Sequence, residues 1–147
     1  MRACGDGLQK RGDVVEIDVR GRAASTNPFV GAAKLVENKA ILFRPDGTQA
    51  WSYRKSHPVP GSEEMLTEPG DRRAVVAQTD VGRLGVVICY DLDFPVTIRR
   101  IASAGVDILA APSHDTQAVR DIHLRMAVMR AIENGVSLVR PVGDGVG

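Results

Sequence analysis

Alternation of apolar and polar positions starts at Val14-Val15-Glu16-Ile17-Asp18-Val19, the period of a half-buried strand. Gly21 to Ala33 is small and polar, contains Asn27-Pro28, and reads as a loop. Asn38 to Arg44, the Pro45-Asp46-Gly47 turn and Gln49 to Lys55 predict a hairpin. A second hairpin is predicted from Ala74 to Thr79, a turn at Asp80 to Arg83, and Leu84 to Cys89, an almost unbroken apolar run. Between the hairpins, His57 to Asp71 is rich in Pro, Gly and Glu and reads as a long surface loop. Loops of that length in compact domains often carry function.

After Leu84 strands alternate with helices. Phe94 to Ala104 predicts a helix with Asp93 as N-cap, Pro95 near its first position and Gly105 just past its end. Val106 to Ala111 predicts a short buried strand, and Val136 to Val139 a final one. Between them Thr116 to Asn134 is the longest predicted helix, stopped by Gly135, with Val119, Ile122, Met126, Met129 and Ile132 near helical spacing. This order argues for a layered α/β architecture in a single domain spanning residues 1–147.

Composition removes several classes of function. The 19 basic and 18 acidic residues nearly cancel, and no basic cluster is interleaved with aromatics, so nucleic acid is not an expected partner. No run approaches the ~18 apolar residues of a membrane span, and Met1 to Gly7 lacks the apolar core of a secretory signal. Cys4 and Cys89 form no disulfide framework and both read as reduced. His57, His114 and His123 are too far apart for a zinc pattern, and no cysteine stands at ligand spacing beside them. Neither a metal nor a cofactor is expected.

The candidate chemistry centres on Cys89. It ends the apolar run Gly85-Val86-Val87-Ile88 and is followed at once by Tyr90-Asp91-Leu92-Asp93-Phe94-Pro95. A strand that ends in a thiol and turns into a helix start lifts that side chain toward a cleft, and the helix N-terminus favours the thiolate. A thiolate attacking a carbonyl also needs oxyanion donors. The backbone N–H of Tyr90 is one candidate, and the ammonium of Lys55 in Tyr53-Arg54-Lys55-Ser56-His57 is another.

These two stretches, in this order, resemble the nitrilase (carbon–nitrogen hydrolase) superfamily. Glu37-Asn38-Lys39-Ala40 before a strand, the Pro45-Asp46-Gly47 turn and Arg130-Ala131-Ile132-Glu133-Asn134 closing a helix extend the likeness. The resemblance implies an α-β-β-α sandwich of which this chain is a partial domain. It implies cysteine-dependent acyl transfer through a thioester acyl-enzyme, with a small amide, nitrile or other acyl donor as partner. Lys55 and Cys89 match the family's lysine and nucleophile. Glu63, eight residues after Lys55, stands where many relatives place a second carboxylate beside the lysine. Asp91 is expected to fix the elbow, His57 to pack, and His114 with Asp115 to face the cleft at a strand end. The family's general base is a glutamate on an early strand. Glu16 is the strand glutamate available upstream, but it reads as an outward-facing carboxylate, so this chain alone is expected to turn over little or no substrate.

Two branches of the family share features with the chain. The segment His123 to Arg140, followed by Gly143-Asp144-Gly145, resembles the hydrolase-like domain of apolipoprotein N-acyltransferase, which implies the bacterial inner membrane. The Cys89 to Pro95 turn resembles soluble amidases, which implies a cytoplasmic setting. The non-enzymatic alternative is an inactive nitrilase-fold module for binding or for oligomerisation. A homo-oligomer is the macromolecular association left open.

Overall fold

The computed structural model describes residues 16–21 and 37–144. Val14 and Val15 of the first expected strand, Cys4, and the expected loop beyond Gly21 lie outside the described residues.

Strands β1 (Glu16–Gly21), β2 (Asn38–Phe43) and β3 (Gln49–Arg54) form an antiparallel sheet in that order. The expected hairpin is present: Ala40 pairs with Tyr53 and Leu42 with Trp51, and a bulge follows Leu42. Its turn is closed by Asp46, whose Oδ1 accepts from Thr48 N at 2.8 Å and Thr48 Oγ1 at 2.6 Å. Gly47 takes φ 82°, a conformation that favours glycine. Alternation then puts Ala40, Leu42, Trp51 and Tyr53 on one buried face.

Strands β4 (Val76–Thr79) and β5 (Gly82–Val86) form the second hairpin. Parallel to β5 run β6 (Ile108–Ala110) and then β8 (Ser137–Val139), giving a mixed sheet ordered β4-β5-β6-β8. β5 ends at Val86, earlier than the apolar run suggests. Val87 N still donates to Ala110 O and Cys89 N to Pro112 O, both at 2.9 Å, so the extended course reaches the thiol. The two faces of this segment serve different neighbours. Leu84, Val86 and Ile88 pack with Ala40, Leu42, Trp51 and Tyr53 between the sheets. Val87 and Leu109 pack against the helices. Gly85 sits on the helix side, where an added Cβ would lie 2.7 Å from Val106 Cγ2, so its missing side chain sets the helix-to-sheet spacing.

The helical layer comprises α1 (Pro95–Ser103) and α2 (Arg120–Asn134). Pro95 occupies the start of α1 as expected, but the N-cap is Phe94 rather than Asp93. Asp93 instead closes a 3-10 turn, Cys89–Asp93, that links the strand to the helix. α2 begins four residues later than its pattern predicts, because Thr116 O accepts from Val119 N at 3.1 Å in a separate turn. It ends at Gly135 with φ 63°. The apolar stripe of α2 does not face the core: Ile122, Met129 and Ile132 are exposed, and Ala127 is the buried residue of the helix. Helical spacing fixes which residues share a face, not which neighbour that face meets.

A pair absent from the sequence reading completes the framework. β7 (Ser113–Asp115) runs parallel to β9 (Val142–Asp144) just beyond the ends of β6 and β8. The result is three stacked layers, helices on a mixed sheet on an antiparallel sheet, of the expected α/β sandwich. No helix among the described residues is long and apolar enough to cross a membrane.

Candidate active site

Cys89 stands at φ 48°, in the left-handed region that non-glycine residues rarely occupy. The chain thus reverses at the thiol, which is partly exposed while the preceding strand is buried. Conformations of this kind persist when the surroundings over-determine them. Here the constraint is Asp91, which is fully buried. Its Oδ2 accepts from Ile88 N at 3.0 Å and from Tyr53 OH at 2.9 Å. Its Oδ1 accepts from Ser56 N at 3.1 Å and His57 N at 2.9 Å, and lies 3.0 Å from His57 Nδ1. One carboxylate therefore ties the backbone before the thiol to the backbone after Lys55. Tyr53 donates to Asp91, so Ser56 Oγ, 2.8 Å from the same phenol, donates to Tyr53. Burial, reinforced by the Asp91 charge, pushes the Tyr53 phenol up and keeps it a donor. His57 stacks on Phe94 with ring centroids 3.8 Å apart, which is the packing place expected of it.

Lys55 follows β3, and its N–H donates to Asn38 O at 2.8 Å at the end of the hairpin ladder. Its side chain is 2% exposed, and a buried ammonium needs a partner. Glu63 supplies it, with Oε2 2.5 Å from Lys55 Nζ. The loop from His57 to Asp71 curls back to make this contact: Val59 O accepts from the N–H groups of Glu63 and Glu64, and Val59 N donates to Glu63 Oε2 at 2.9 Å. The expected loop is thus partly an inward-folded support for one carboxylate.

A cavity of about 650 Å³ opens between the ends of the two sheets. Lys55, Glu63, Cys89, Tyr90 and His114 all line it, so the five residues singled out from the sequence meet in one place. Cys89 Sγ approaches His114 O at 3.8 Å. The Tyr90 ring stands edge-on to Phe94 at 5.2 Å. Glu16 lies elsewhere, opposite Phe43 at the far end of β2 from Asn38. Those positions are five steps of strand apart, a distance of ~17 Å.

Two further groups line the cavity without a site role expected from the sequence. Asn38 lines it and donates from Nδ2 to Glu63 Oε1 at 3.1 Å. His123 lines it from α2, with Nδ1 3.0 Å from Asp115 Oδ1 and Nε2 3.7 Å from Asp93 Oδ2. Asp115 is buried and also paired with Arg140. Its neighbour in β7, His114, is at the cavity rim, so Asp115 anchors that wall rather than facing the cleft as expected.

The Asp115 cluster has a testable acid signature. Burial works against the Asp115 charge, but donors from Arg140 and His123 outweigh it and hold the carboxyl below its ordinary range. Folding then leaves Asp115 with fewer bound protons than in the unfolded chain. Its stabilisation is present above the unfolded value near ~4 and is lost as pH falls through the lower folded value. Asp115→Asn is expected to lower Tm at pH 7 and to flatten the Tm–pH curve below about pH 5. A variant curve running parallel to wild type through that range would count against the assignment.

Comparison with known proteins supplies the family. The carbon-nitrogen hydrolase family model matches residues 15–146. An (R)-stereoselective amidase from a Pseudomonas species is 34% identical over 110 residues, covering 74% of this chain and 39% of the relative. The crystal structure of a carbon-nitrogen hydrolase from Helicobacter pylori G27 superposes with a TM-score of 0.75 at 30% identity, over 91% of this chain and 47% of that one. An amidase from Nesterenkonia sp. AN1, described with acrylamide added at its active-site cysteine, matches with a TM-score of 0.64 at 27% identity, over 74% and 42%. The chain belongs to the carbon-nitrogen hydrolase family of the nitrilase superfamily, and it spans less than half the length of these relatives. The amidases among them narrow the earlier resemblance: the family is shown, whereas an apolipoprotein N-acyltransferase identity is not.

Proposed function

We propose that Cys89 is the nucleophile of an amide-cleaving site with Lys55 and Glu63 as its charged support. The observation that carries this reading is the sharing of one cavity by a thiol on a left-handed turn and a buried ammonium. Cys89 Sγ attacks the amide carbonyl carbon, the C–N bond breaks, and the amine leaves with a proton while the acyl group stays as a thioester. Water then adds to the thioester, releasing a carboxylic acid and restoring the thiol. An ammonium has three N–H donors and Glu63 accepts one, so Lys55 keeps donors for the oxyanion of each tetrahedral intermediate. Tyr90 N–H is the second donor in this reading. The thiol proton goes to a general base, the role that resemblance gives to a glutamate preceding the lysine motif. Glu16 does not suit that role from the far end of β2.

The same thioester handed to an amine instead of water would be N-acyl transfer, the reading suggested by the His123 to Arg140 segment. The amidase relatives favour water. The test uses the whole chain and an activated acyl donor, p-nitrophenyl butyrate, followed by intact-mass and peptide-level mass spectrometry. A butyryl adduct on Cys89 of the native chain is expected, with little on the urea-unfolded chain. Partition of that adduct between water and added glycinamide separates hydrolysis from transfer. Equal labelling of folded and unfolded chain, or labelling elsewhere, would remove the reading.

A further inference from the structure

Glu63 can aim Lys55 only if its own carboxylate is held against rotation. The terminal torsion of a glutamate is soft, with a broad two-fold profile, so one anchored oxygen leaves the plane free to turn. Lys55 Nζ and Val59 N both bind Oε2, at 2.5 and 2.9 Å. Oε1 is held by Asn38 Nδ2 at 3.1 Å. Asn38 therefore touches both members of the ion pair. Its main-chain carbonyl accepts the Lys55 N–H at 2.8 Å, and its side chain donates to Glu63.

The other end of the same amide shows what orients it. Asn38 Oδ1 is buried and has no hydrogen-bond partner among the described residues. A buried acceptor left alone is unfavourable. Turning the amide over would exchange Nδ2 for an oxygen beside Glu63 Oε1, setting two acceptors against each other. The contact with the Glu63 carboxylate thus outweighs an unsatisfied oxygen, which marks it as the interaction that decides the side chain's orientation.

We propose that Asn38 is a positioning residue for the Lys55–Glu63 pair. Its Nδ2–H locks the plane of the Glu63 carboxylate, which keeps Oε2 on the ammonium and keeps the ammonium at the wall it shares with Cys89. The proposal deepens the acyl-transfer reading and rests on it for the purpose of Lys55, while the positioning itself is measurable without turnover.

The molecule contains its own control. The Lys55 N–H to Asn38 O bond is main chain and survives any side chain at position 38, whereas the contact to Glu63 does not. The experiment is NMR of the whole chain with 15N-labelled lysine, following proton exchange of the Lys55 ammonium and of its backbone amide. Asn38→Leu, similar in size and without a donor, is expected to speed ammonium exchange roughly tenfold, the equivalent of one hydrogen bond. The Lys55 amide should stay within about twofold, because its acceptor is retained. Asn38→Asp should speed ammonium exchange further, since a second carboxylate repels Glu63 from its place. In both variants butyrylation of Cys89 should slow. Ammonium exchange unchanged in both variants overturns the proposal. So does a parallel loss of ammonium and amide protection in both, because Asn38 would then only be securing the hairpin end. Wild-type chain that never butyrylates Cys89 would remove the acyl-transfer reading and leave the ammonium result standing.

Discussion

Asp91→Asn is expected to destabilise the chain by about 3–5 kcal/mol, the range for breaking a buried charged network. Domains of this size typically have only ~5–15 kcal/mol in hand. The side chains have the same shape, so packing is preserved and the loss comes from hydrogen bonding. An amide offers one oxygen where the carboxylate offers two. If that oxygen serves Ser56 N and His57 N, the NH2 group meets Ile88 N–H; if it serves Ile88, the NH2 group meets the other two. Tyr53 can rotate its hydroxyl, but a backbone N–H cannot become an acceptor. One side of the hub is therefore always donor against donor. The structural consequence reaches the thiol, because Ile88 precedes the left-handed turn that Asp91 holds. Urea denaturation should show a lower midpoint, and Cys89 in the folded fraction should lose any advantage over a free thiol toward iodoacetamide. A variant within about 1 kcal/mol of wild type, well below the cost of a buried unpaired donor, would show that the hub is dispensable.

The parts of this architecture that the sequence displays are those with local causes. β2 and β3 are legible because Ala40, Leu42, Trp51 and Tyr53 alternate, and alternation is what one buried sheet face requires. The elbow is legible because an apolar run ends abruptly in Cys89-Tyr90-Asp91, and the expectation that Asp91 fixes it rests on its place directly after the Cys89-Tyr90 pair. Glu63 is different: nothing local distinguishes it from Glu64, and the family's motif alone singles it out. What escapes reading is held together by long-range pairing. β7 meets β9 although Ser113 and Val142 are far apart in sequence, and three-residue strands carry no period. Arg140 reaches Asp115 across 25 positions and Asn38 reaches Glu63 across 25. Neither contact has a spacing rule, because a loop closed by other elements sets the distance. The stripe on α2 fails for a related reason. Period 3.6 identifies Ile122, Met129 and Ile132 as one face, but burial depends on what the rest of the molecule places opposite that face.

Lys55→Met is expected to slow acylation of Cys89 by about 10²–10³, the loss typical of removing one oxyanion donor. Methionine nearly matches the length of the lysine stem and suits its buried position, so the fold should survive. Glu63 is left without its cation, but it retains contacts from Asn38 and Val59 and is partly open to solvent. Glu63→Gln should be milder, roughly tenfold, because it removes the charge that holds the ammonium rather than the ammonium itself. If the two act as one unit, the double variant should be no slower than Lys55→Met alone, since a residue that works through another has nothing left to position. The measurement is the first-order rate of butyryl transfer to Cys89, followed by mass spectrometry under single-turnover conditions, with folding checked by urea midpoint. Losses that multiply in the double variant would mean that Glu63 acts on the reacting atoms directly. Lys55→Met acylating at the wild-type rate would reduce the ammonium to a structural wall of the cavity, and Cys89 would then need another source of oxyanion stabilisation.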